Sequence, residues 1–170
     1  MRISKWKRKL DRLDRMVILL KSSIAYIDIS CFVHATEDPE KVMKAMKNAV
    51  PTDYAESISF VKSNLKGEYG NPIILFKSRI EDKTIAESVL RHVSSQLSTL
   101  DKEKLLQDLD LHLEKGNLYI RLDKQAALRG DLRLWTGDPL HLRIRFRKSK
   151  NEELMEILKD FGLLPNLHTS

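Results

Sequence analysis

The sequence predicts an α+β fold with a mostly antiparallel sheet and helices packed on one face. Short segments that alternate apolar and polar residues follow one another across turns. Segments with apolar residues every third or fourth position stand between them, without regular strand–helix–strand alternation. We therefore expect a basic helical extension at residues 1–22 and a single α+β domain at residues 23–165, with the second sheet face open to solvent or a ligand.

Residues 2–21 predict a basic amphipathic helix. Its apolar residues follow heptad spacing, and they are Ile3, Trp6, Leu10, Leu13, Val17 and Leu20. Lysines and arginines, including Arg8 and Arg12, cover the other sides. The helix can pack on its own domain, which we expect by default because fewer than three heptads make a short coiled coil. It can also pair with a second copy or lie along a phosphate backbone.

The next segments predict a strand and then a helix. Residues 23–35 alternate with period two, with Cys31 on the apolar face and Asp28 on the other. Asp38 suits the position that caps a helix, and Pro39 suits its first turn. Pro51 ends that helix.

The middle of the chain predicts two strands and two helices. The strands lie at about 57–65 and 72–80, and the glycine-containing segment between them is a turn or hairpin loop. The helices lie at 82–98 and about 102–113, and Gly116 stops the second.

The last part returns to short strands. Residues 118–122 alternate, 124–130 form a short helix or a loop, and Leu132 and Leu134 suggest a brief strand. Residues 140–147 form the last strand, and a final helix covers about 150–161.

Positive charge is concentrated in two blocks. The formal net charge is +6 and the pI is about 9.4. Residues 1–22 hold eight Lys or Arg and two Asp, whereas residues 121–150 hold nine basic and three acidic residues. Such asymmetry is typical of proteins that bind nucleic acid or another acidic surface.

The strongest local pattern lies in the last predicted strand. Its apolar residues alternate with His141, Arg143, Arg145 and Arg147, so these four share the face away from the core. Arginine binds phosphate with two parallel hydrogen bonds and stacks on bases. The sequence therefore predicts phosphate contacts from this row, flanked by Arg121 and Lys124. The alternative is a solvated outer face with salt bridges to neighbouring elements.

Aromatic residues lie in the same basic stretch. Tyr119 and Trp135 are suited to stacking on unpaired bases.

Other classes of function find little support in the sequence. The five histidines show no metal-ligand spacing, and the single cysteine, Cys31, is expected to be an inert core thiol. Asp28 and Asp123 are carboxylates on strands, but nothing in the sequence brings them together for a nuclease. We expect no catalysis, no cofactor, no membrane partner and a cytoplasmic location, which a chain without disulfides suits.

Three segments resemble an archaeal family of RNA-binding proteins described as exosome-associated. They are Phe32-Val33-His34-Ala35-Thr36-Glu37-Asp38, Gly67-Glu68-Tyr69-Gly70-Asn71-Pro72-Ile73, and Gly116-Asn117-Leu118-Tyr119-Ile120-Arg121-Leu122-Asp123-Lys124-Gln125. The resemblance implies a fold similar to the large-subunit ribosomal protein that binds 5S RNA. It also implies RNA as a partner, an accessory role in RNA processing, and exosome subunits as further partners. Loops then become candidates for RNA contact, among them Lys66, Tyr69 and Asn71.

The sequence thus predicts a non-catalytic RNA-binding protein. A different class stays open, namely a protein-interaction adaptor or homodimer that uses the N-terminal heptad helix. The two classes differ in salt dependence, because binding through phosphates weakens steeply as salt rises.

Overall fold

The computed structural model describes the backbone of residues 2–165 and the side chains of residues 4–13 and 23–165. The strands are β1 (Ile24–Val33), β2 (Val61–Lys66), β3 (Pro72–Ile80), β4 (Leu113–Glu114), β5 (Asn117–Asp123) and β6 (Pro139–Phe146). The helices are α1 (Arg2–Ser23), α2 (Pro39–Asn48), α3 (Thr52–Ala55), α4 (Lys83–Gln96), α5 (Thr99–Gln107), α6 (Leu109–His112), α7 (Lys124–Leu128) and α8 (Asn151–Asp160).

The strands of this part of the chain form one sheet in the order β2-β3-β1-β6-β5-β4. Each neighbouring pair is antiparallel. The predicted α+β class with an antiparallel sheet is therefore confirmed. β1 and β6 lie at its centre, although most of the domain separates them in sequence.

The core lies between one face of the sheet and the helices. On β6 the four apolar residues alternate as predicted, and Leu140, Leu142, Ile144 and Phe146 are each at most 1% exposed. α4 buries Val89, Leu90 and Val93 in the same cluster. Burial of such side chains is the main favourable contribution to folding.

The start of β1 departs from the predicted alternation. The register shifts between Ile24 and Tyr26, which is the mark of a β-bulge. The extra residue lets Ile24 face the core opposite Phe146, whereas simple alternation had placed it on the other face. Tyr26 and Asp28 keep their predicted face.

Helix ends follow the local sequence. The Asp38 side chain accepts a hydrogen bond from the Glu40 N–H at 3.0 Å, and Pro39 occupies the first turn of α2, as predicted. The segment expected at 102–113 begins earlier, after the Ser98 cap, and divides at Asp108 into α5 and α6. The strand expected at 57–65 begins only at Val61, after α3. Leu134 forms an isolated bridge with Leu122 rather than a full strand.

α1 runs directly into β1 without a linker. The Ser23 carbonyl accepts a hydrogen bond from the Arg147 N–H at 2.7 Å, so β1 and the end of β6 are held together at this junction. Trp6, Leu10 and Leu13 are 65%, 56% and 47% exposed. The default expectation that this stripe packs on its own domain is therefore wrong for these three residues, while the side chains of Ile3, Val17 and Leu20 lie outside the described set.

Two further findings concern the core and membranes. Burial raises the pKa of the Cys31 thiol to about 12, in keeping with a core cysteine. No helix in the described part of the chain is long and apolar enough to span a bilayer.

Candidate nucleic-acid interface

One face of the sheet carries the residues of each strand that alternate with the buried apolar ones, and many of them are polar or basic. We call this surface the open face. The strand pairing places the alternating set of each strand on it. Its side chains from the central strands are Tyr26, Asp28, Ser30, Phe32, Leu75, Lys77, Arg79, Tyr119, Arg121, His141, Arg143 and Arg145. Most of them are exposed or half-buried, whereas Asp28 is 6% exposed.

A row of side chains crosses the sheet through Asp28. The strand register places Arg79 beside Asp28 on one side and Arg143, followed by Tyr119, on the other. Arg79 donates two hydrogen bonds to the carboxylate, from Nε to Oδ1 at 2.7 Å and from Nη2 to Oδ2 at 2.9 Å. Arg143 Nη1 lies 4.0 Å from Oδ2, and its Nε donates to Asn117 Oδ1 at 3.0 Å. Asp28 thus orients two arginines rather than serving as a free carboxylate.

The same two guanidinium groups meet the ring of Tyr26. Arg79 lies over the ring at 4.0 Å from its centroid, and Arg143 lies at 5.9 Å. Such cation–π contacts hold a planar guanidinium in place while leaving its outer side free. The Arg79 and Arg143 side chains remain 43% and 40% exposed, so both can meet a ligand.

A second row crosses the sheet through Lys77, Ser30, His141 and Arg121. The Leu122–Leu134 bridge extends this row, because Trp135 lies beside Arg121. The backbone N–H of Trp135 donates to the Arg121 carbonyl at 3.0 Å. Burial and the nearby Arg121 cation lower the pKa of His141 below its ordinary value. At neutral pH the charge of this row therefore comes from lysine and arginine.

The predicted row of four residues on the last strand is shorter in the structure. β6 ends at Phe146, so Arg147 lies beyond the strand and is exposed. Arg145 is half-buried, and its Nη1 donates to the Lys115 carbonyl in the β4–β5 turn. Within β6, His141, Arg143 and Arg145 share the open face.

Lys124 is placed differently from its prediction as a phosphate contact. Its side chain is 5% exposed, and its ammonium donates to the Phe32 carbonyl at 2.8 Å and to both oxygens of Glu37. It also lies 2.5 Å from Asp138 Oδ2. Burial alone would lower the pKa of Lys124, but hydrogen bonds to Asp138 and Glu37 leave it raised. This ammonium is committed to internal partners and is unavailable to RNA in this arrangement.

The carboxylates around Lys124 resemble a metal-ligand set. His34, Glu37 and Asp138 bring potential ligand atoms within 4.8 Å of one another. The Lys124 ammonium already contacts both carboxylates, so the positive charge that a cation would supply is present. The cluster is therefore best described as an ion-pair network around the buried Lys124 ammonium, beside a groove of about 310 Å³ between α2 and α7.

The hairpin loop lies at the far end of the sheet, between β2 and β3. Tyr69 is 93% exposed at its tip, and Lys66 is exposed at the end of β2. The Gly67 N–H donates to the Asn71 carbonyl, and Gly70 adopts a φ of +79° that favours glycine. The Asn71 side chain lies so close to Gly67 that a Cβ there would be 2.6 Å from its Oδ1. Asn71 therefore shapes the loop, while Lys66 and Tyr69 face outward.

Arg8 and Arg12 lie exposed on α1, away from the open face in sequence. Arg8 Nε donates to the Ser4 carbonyl within the helix at 3.1 Å. The structure brings Tyr119, Arg121, Arg143 and Arg145 together on one surface, while the hairpin residues, Arg147 and α1 lie at other positions.

Several residues of the open face were not identified from the sequence. Lys77, Arg79, Tyr26 and Phe32 were not predicted as site residues, although Lys77 and Arg79 alternate with the buried Phe76 and Ile80. This alternation was the available signal. It could not reveal that β3 lies beside β1, because strand order is not written in local periodicity.

Fold and site together define an open-faced α+β protein with an arginine-rich sheet surface. A sequence family described as RNA binding matches residues 26–146. The chain belongs to this RNA-binding family. Among its relatives, RNA-binding protein PAB1135 of Pyrococcus abyssi is 31% identical over 140 residues, which cover 79% of this chain and 91% of that protein. The uncharacterized protein MJ0213 of Methanocaldococcus jannaschii is 34% identical over 140 residues, covering 78% and 93%.

Solved structures share the fold. The crystal structure of protein AF2318 from Archaeoglobus fulgidus, described as a DUF54 protein, is 27% identical. It aligns with a TM-score of 0.69 over 81% of this chain and 99% of that chain. The similarity extends over nearly the whole of that relative, so the two share one domain architecture.

Proposed function

We propose that the chain binds RNA through the open face and has no catalytic role. The supporting observation is that one unobstructed sheet surface displays five cationic side chains of lysine and arginine, which are Lys77, Arg79, Arg121, Arg143 and Arg145. Neighbouring strands lie about 4.8 Å apart, and alternate residues lie about 6.6 Å apart along a strand. This grid is comparable with the spacing of phosphates along an extended strand.

The chemistry of these residues favours affinity over sequence discrimination. Phosphate contacts release counterions and position the protein, but they carry no base information. Arg8 and Arg12 of α1 and Lys66 and Tyr69 of the hairpin supply further contacts from outside the open face. Lys124 is left out because its ammonium is bound by Glu37 and Asp138.

The finer role follows from the family resemblance alone. We propose an accessory function in cytoplasmic RNA processing, with exosome subunits as partners. Affinity purification from a related archaeon followed by mass spectrometry tests this part, and recovery of the protein without any exosome subunit would contradict it.

Charge reversal on the open face tests the RNA site. Lys77→Glu with Arg121→Glu removes two exposed cations for which no ion pair is present among the described residues. The matched control is Lys44→Glu with Lys83→Glu, which makes the same charge change on the helical side. We expect the first variant alone to lose RNA affinity, and the slope of log affinity against log salt to fall by about 2. Fluorescence anisotropy with labelled RNA measures both.

Arg143 is a poorer choice for this first test. Replacing it with glutamate would place a second carboxylate near the buried Asp28 and remove the partner of Asn117. Equal RNA affinity in the open-face variant and its control, with both folded, would place the binding site elsewhere.

A protein-interaction role is a second candidate, favoured by one observation. Trp6, Leu10 and Leu13 form an exposed apolar stripe on α1. Such a stripe suits a helical partner or a second copy, and that contact would persist at high salt, unlike phosphate binding.

A further inference from the structure

Two aromatic rings on the open side of the sheet are each covered by an arginine that a nearly buried aspartate holds. In the first stack, Asp28 binds Arg79, and Arg79 lies over Tyr26 at 4.0 Å. In the second, Asp123 binds Arg133, and Arg133 lies over Trp135 at 5.5 Å. The strand pairing places both stacks on the same side, because Trp135 lies opposite Arg121.

The two stacks share the same distribution of exposure. The side chains of Asp28 and Asp123 are 7% and 6% exposed, whereas those of Arg79 and Arg133 are 43% and 53% exposed. Each guanidinium group is thus held on its sheet side by a carboxylate and an aromatic ring. Its remaining surface faces solvent. A guanidinium held in this way has already lost much of its side-chain freedom, which reduces the entropic cost of binding.

The second stack is supported by local structure around it. Arg133 donates from Nε and Nη2 to Asp123 Oδ2 at 2.8 and 2.6 Å. Asp123 also accepts from the Gln125 and Ala126 N–H groups as the cap of α7. Gly137 leaves room for the indole, since a Cβ at that position would clash with Trp135 Nε1. The ring is nevertheless 47% exposed.

Cations and an aromatic ring lie between the stacks. Tyr119 lies on β5 and is 37% exposed. It is the diagonal neighbour of Trp135 on the adjacent segment, and residues in such positions lie roughly 7–8 Å apart. Arg143 and Arg121 lie on the same path, on β6 and β5. From Tyr26 to Trp135 the path crosses three strand spacings, and it also shifts by the length of strand from Asn117 to Arg121, so the two rings lie roughly 20 Å apart. An extended strand of a few nucleotides covers that distance.

We infer that the open face binds single-stranded RNA and that unpaired bases stack on the Arg79–Tyr26 and Arg133–Trp135 pairs. This inference rests on the proposed RNA-binding function and specifies its ligand. A base presents a flat face to aromatic rings and guanidinium planes only when it is unpaired and splayed out. A paired duplex would offer the phosphates alone, and nothing in a purely phosphate-binding surface requires guanidinium groups stacked on rings.

Replacing arginine with lysine separates stacking from charge. Arg79→Lys with Arg133→Lys keeps both positive charges near Asp28 and Asp123 but removes the planar groups. The control is Arg91→Lys with Arg129→Lys, two exposed arginines on α4 and after α7 that do not belong to the open face. The probes are a labelled RNA 12-mer without self-complementarity and the same strand annealed to its complement.

We expect the wild type to bind the single strand more tightly than the duplex. The Arg79→Lys/Arg133→Lys variant should lose about 30-fold in single-strand affinity, since each stacked base contributes substantially, while duplex affinity changes less than about threefold. The control variant should keep both affinities. Equal wild-type affinity for the two probes, or full single-strand affinity in the Arg79→Lys/Arg133→Lys variant, would overturn the inference.

Tryptophan fluorescence supplies a second readout. The chain has two tryptophans, so Trp6→Phe leaves Trp135 as the reporter. We expect single-stranded RNA to quench its emission and the duplex to leave it nearly unchanged. Another outcome is that the duplex binds as tightly as the single strand, with duplex binding lost in the Lys77→Glu/Arg121→Glu variant. That result would support RNA binding by the open face and contradict base stacking. If neither RNA binds, the proposed function itself fails.

Discussion

Lys124 illustrates how a charge changes its role with its surroundings. In the sequence it lies within the most basic block and is predicted to contact phosphate. In the structure Glu37, which lies 87 residues away in sequence, and Asp138, just before β6, enclose its ammonium. A buried ammonium with such partners stabilises the join between β1, α7 and β6.

Removing this ammonium should therefore cost stability. We expect Lys124→Met to lower the free energy of unfolding by about 3 kcal/mol, because the carboxylates lose their compensating charge in a partly buried site. Urea unfolding followed by circular dichroism measures it. Lys41→Met, at an exposed position beside the same groove, should change stability by less than about 0.5 kcal/mol. Equal effects of the two variants would show that the ion pairs contribute little.

His141 gives the open face a pH dependence. Burial and Arg121 lower its pKa, so the folded protein binds this proton less readily than the unfolded chain. The contribution of neutral His141 to the free energy of unfolding is therefore complete above the ordinary histidine pKa of about 6.5. It is lost as the pH falls through the lowered pKa of the folded state. We expect His141→Gln to lose less stability than the wild type between pH 7.5 and pH 5, measured by urea unfolding. Parallel losses in the two proteins would argue against this assignment.

Among the elements, α1 presents two kinds of surface. Trp6, Leu10 and Leu13 of its apolar stripe are exposed, and lysines and arginines occupy its other sides. Either surface can bind a partner, and the two kinds of partner differ in chemistry. Matched neutral substitutions on the two surfaces distinguish them.

We expect the basic surface of α1 to contact RNA. Arg8→Gln with Arg12→Gln should reduce the salt slope of RNA binding by about 2, because two phosphate contacts disappear. Leu10→Gln with Leu13→Gln should leave RNA affinity and thermal stability nearly unchanged, since both leucines are about half exposed. Sedimentation velocity at high salt adds the opposing test. A dimer that the leucine variant alone dissociates would favour the adaptor role.

Elements were predictable where pattern and chemistry are local. The alternation of 140–147 predicted the strand, and its apolar half is the core of β6. The Asp38 cap and Pro39 predicted the start of α2. The bulge after Ile24 and the division of the helix at Asp108 were not predictable, because tertiary packing selects them over a regular period.

The candidate site was predictable only in part for a related reason. Arg143 and Arg121 were identified because they lie in one dense basic segment. Arg79 was missed because its partner, Asp28, lies 51 residues away, and only strand pairing brings the two together. The burial of Lys124 depends on equally distant contacts.

At the scale of the whole molecule, charge and shape act together. The helices cover one face of the sheet, so the sheet's cations are displayed on the other. If all five cations of the open face contact phosphates of a single strand, log affinity should fall with log salt with a slope of about −3.5 or steeper, at roughly 0.7 per contact. Anisotropy titrations between 50 and 300 mM KCl provide the slope, and a nearly flat dependence would contradict phosphate binding.

The junction of α1 and β1 connects the two basic regions of the chain. The helix continues directly into a central strand, and the Ser23 carbonyl accepts a hydrogen bond from the Arg147 N–H, so α1 is attached at the middle of the sheet rather than at its edge. The same strand carries Tyr26 and Asp28, which hold Arg79. A ligand bound to α1 therefore lies on the helix that leads directly into the first arginine stack.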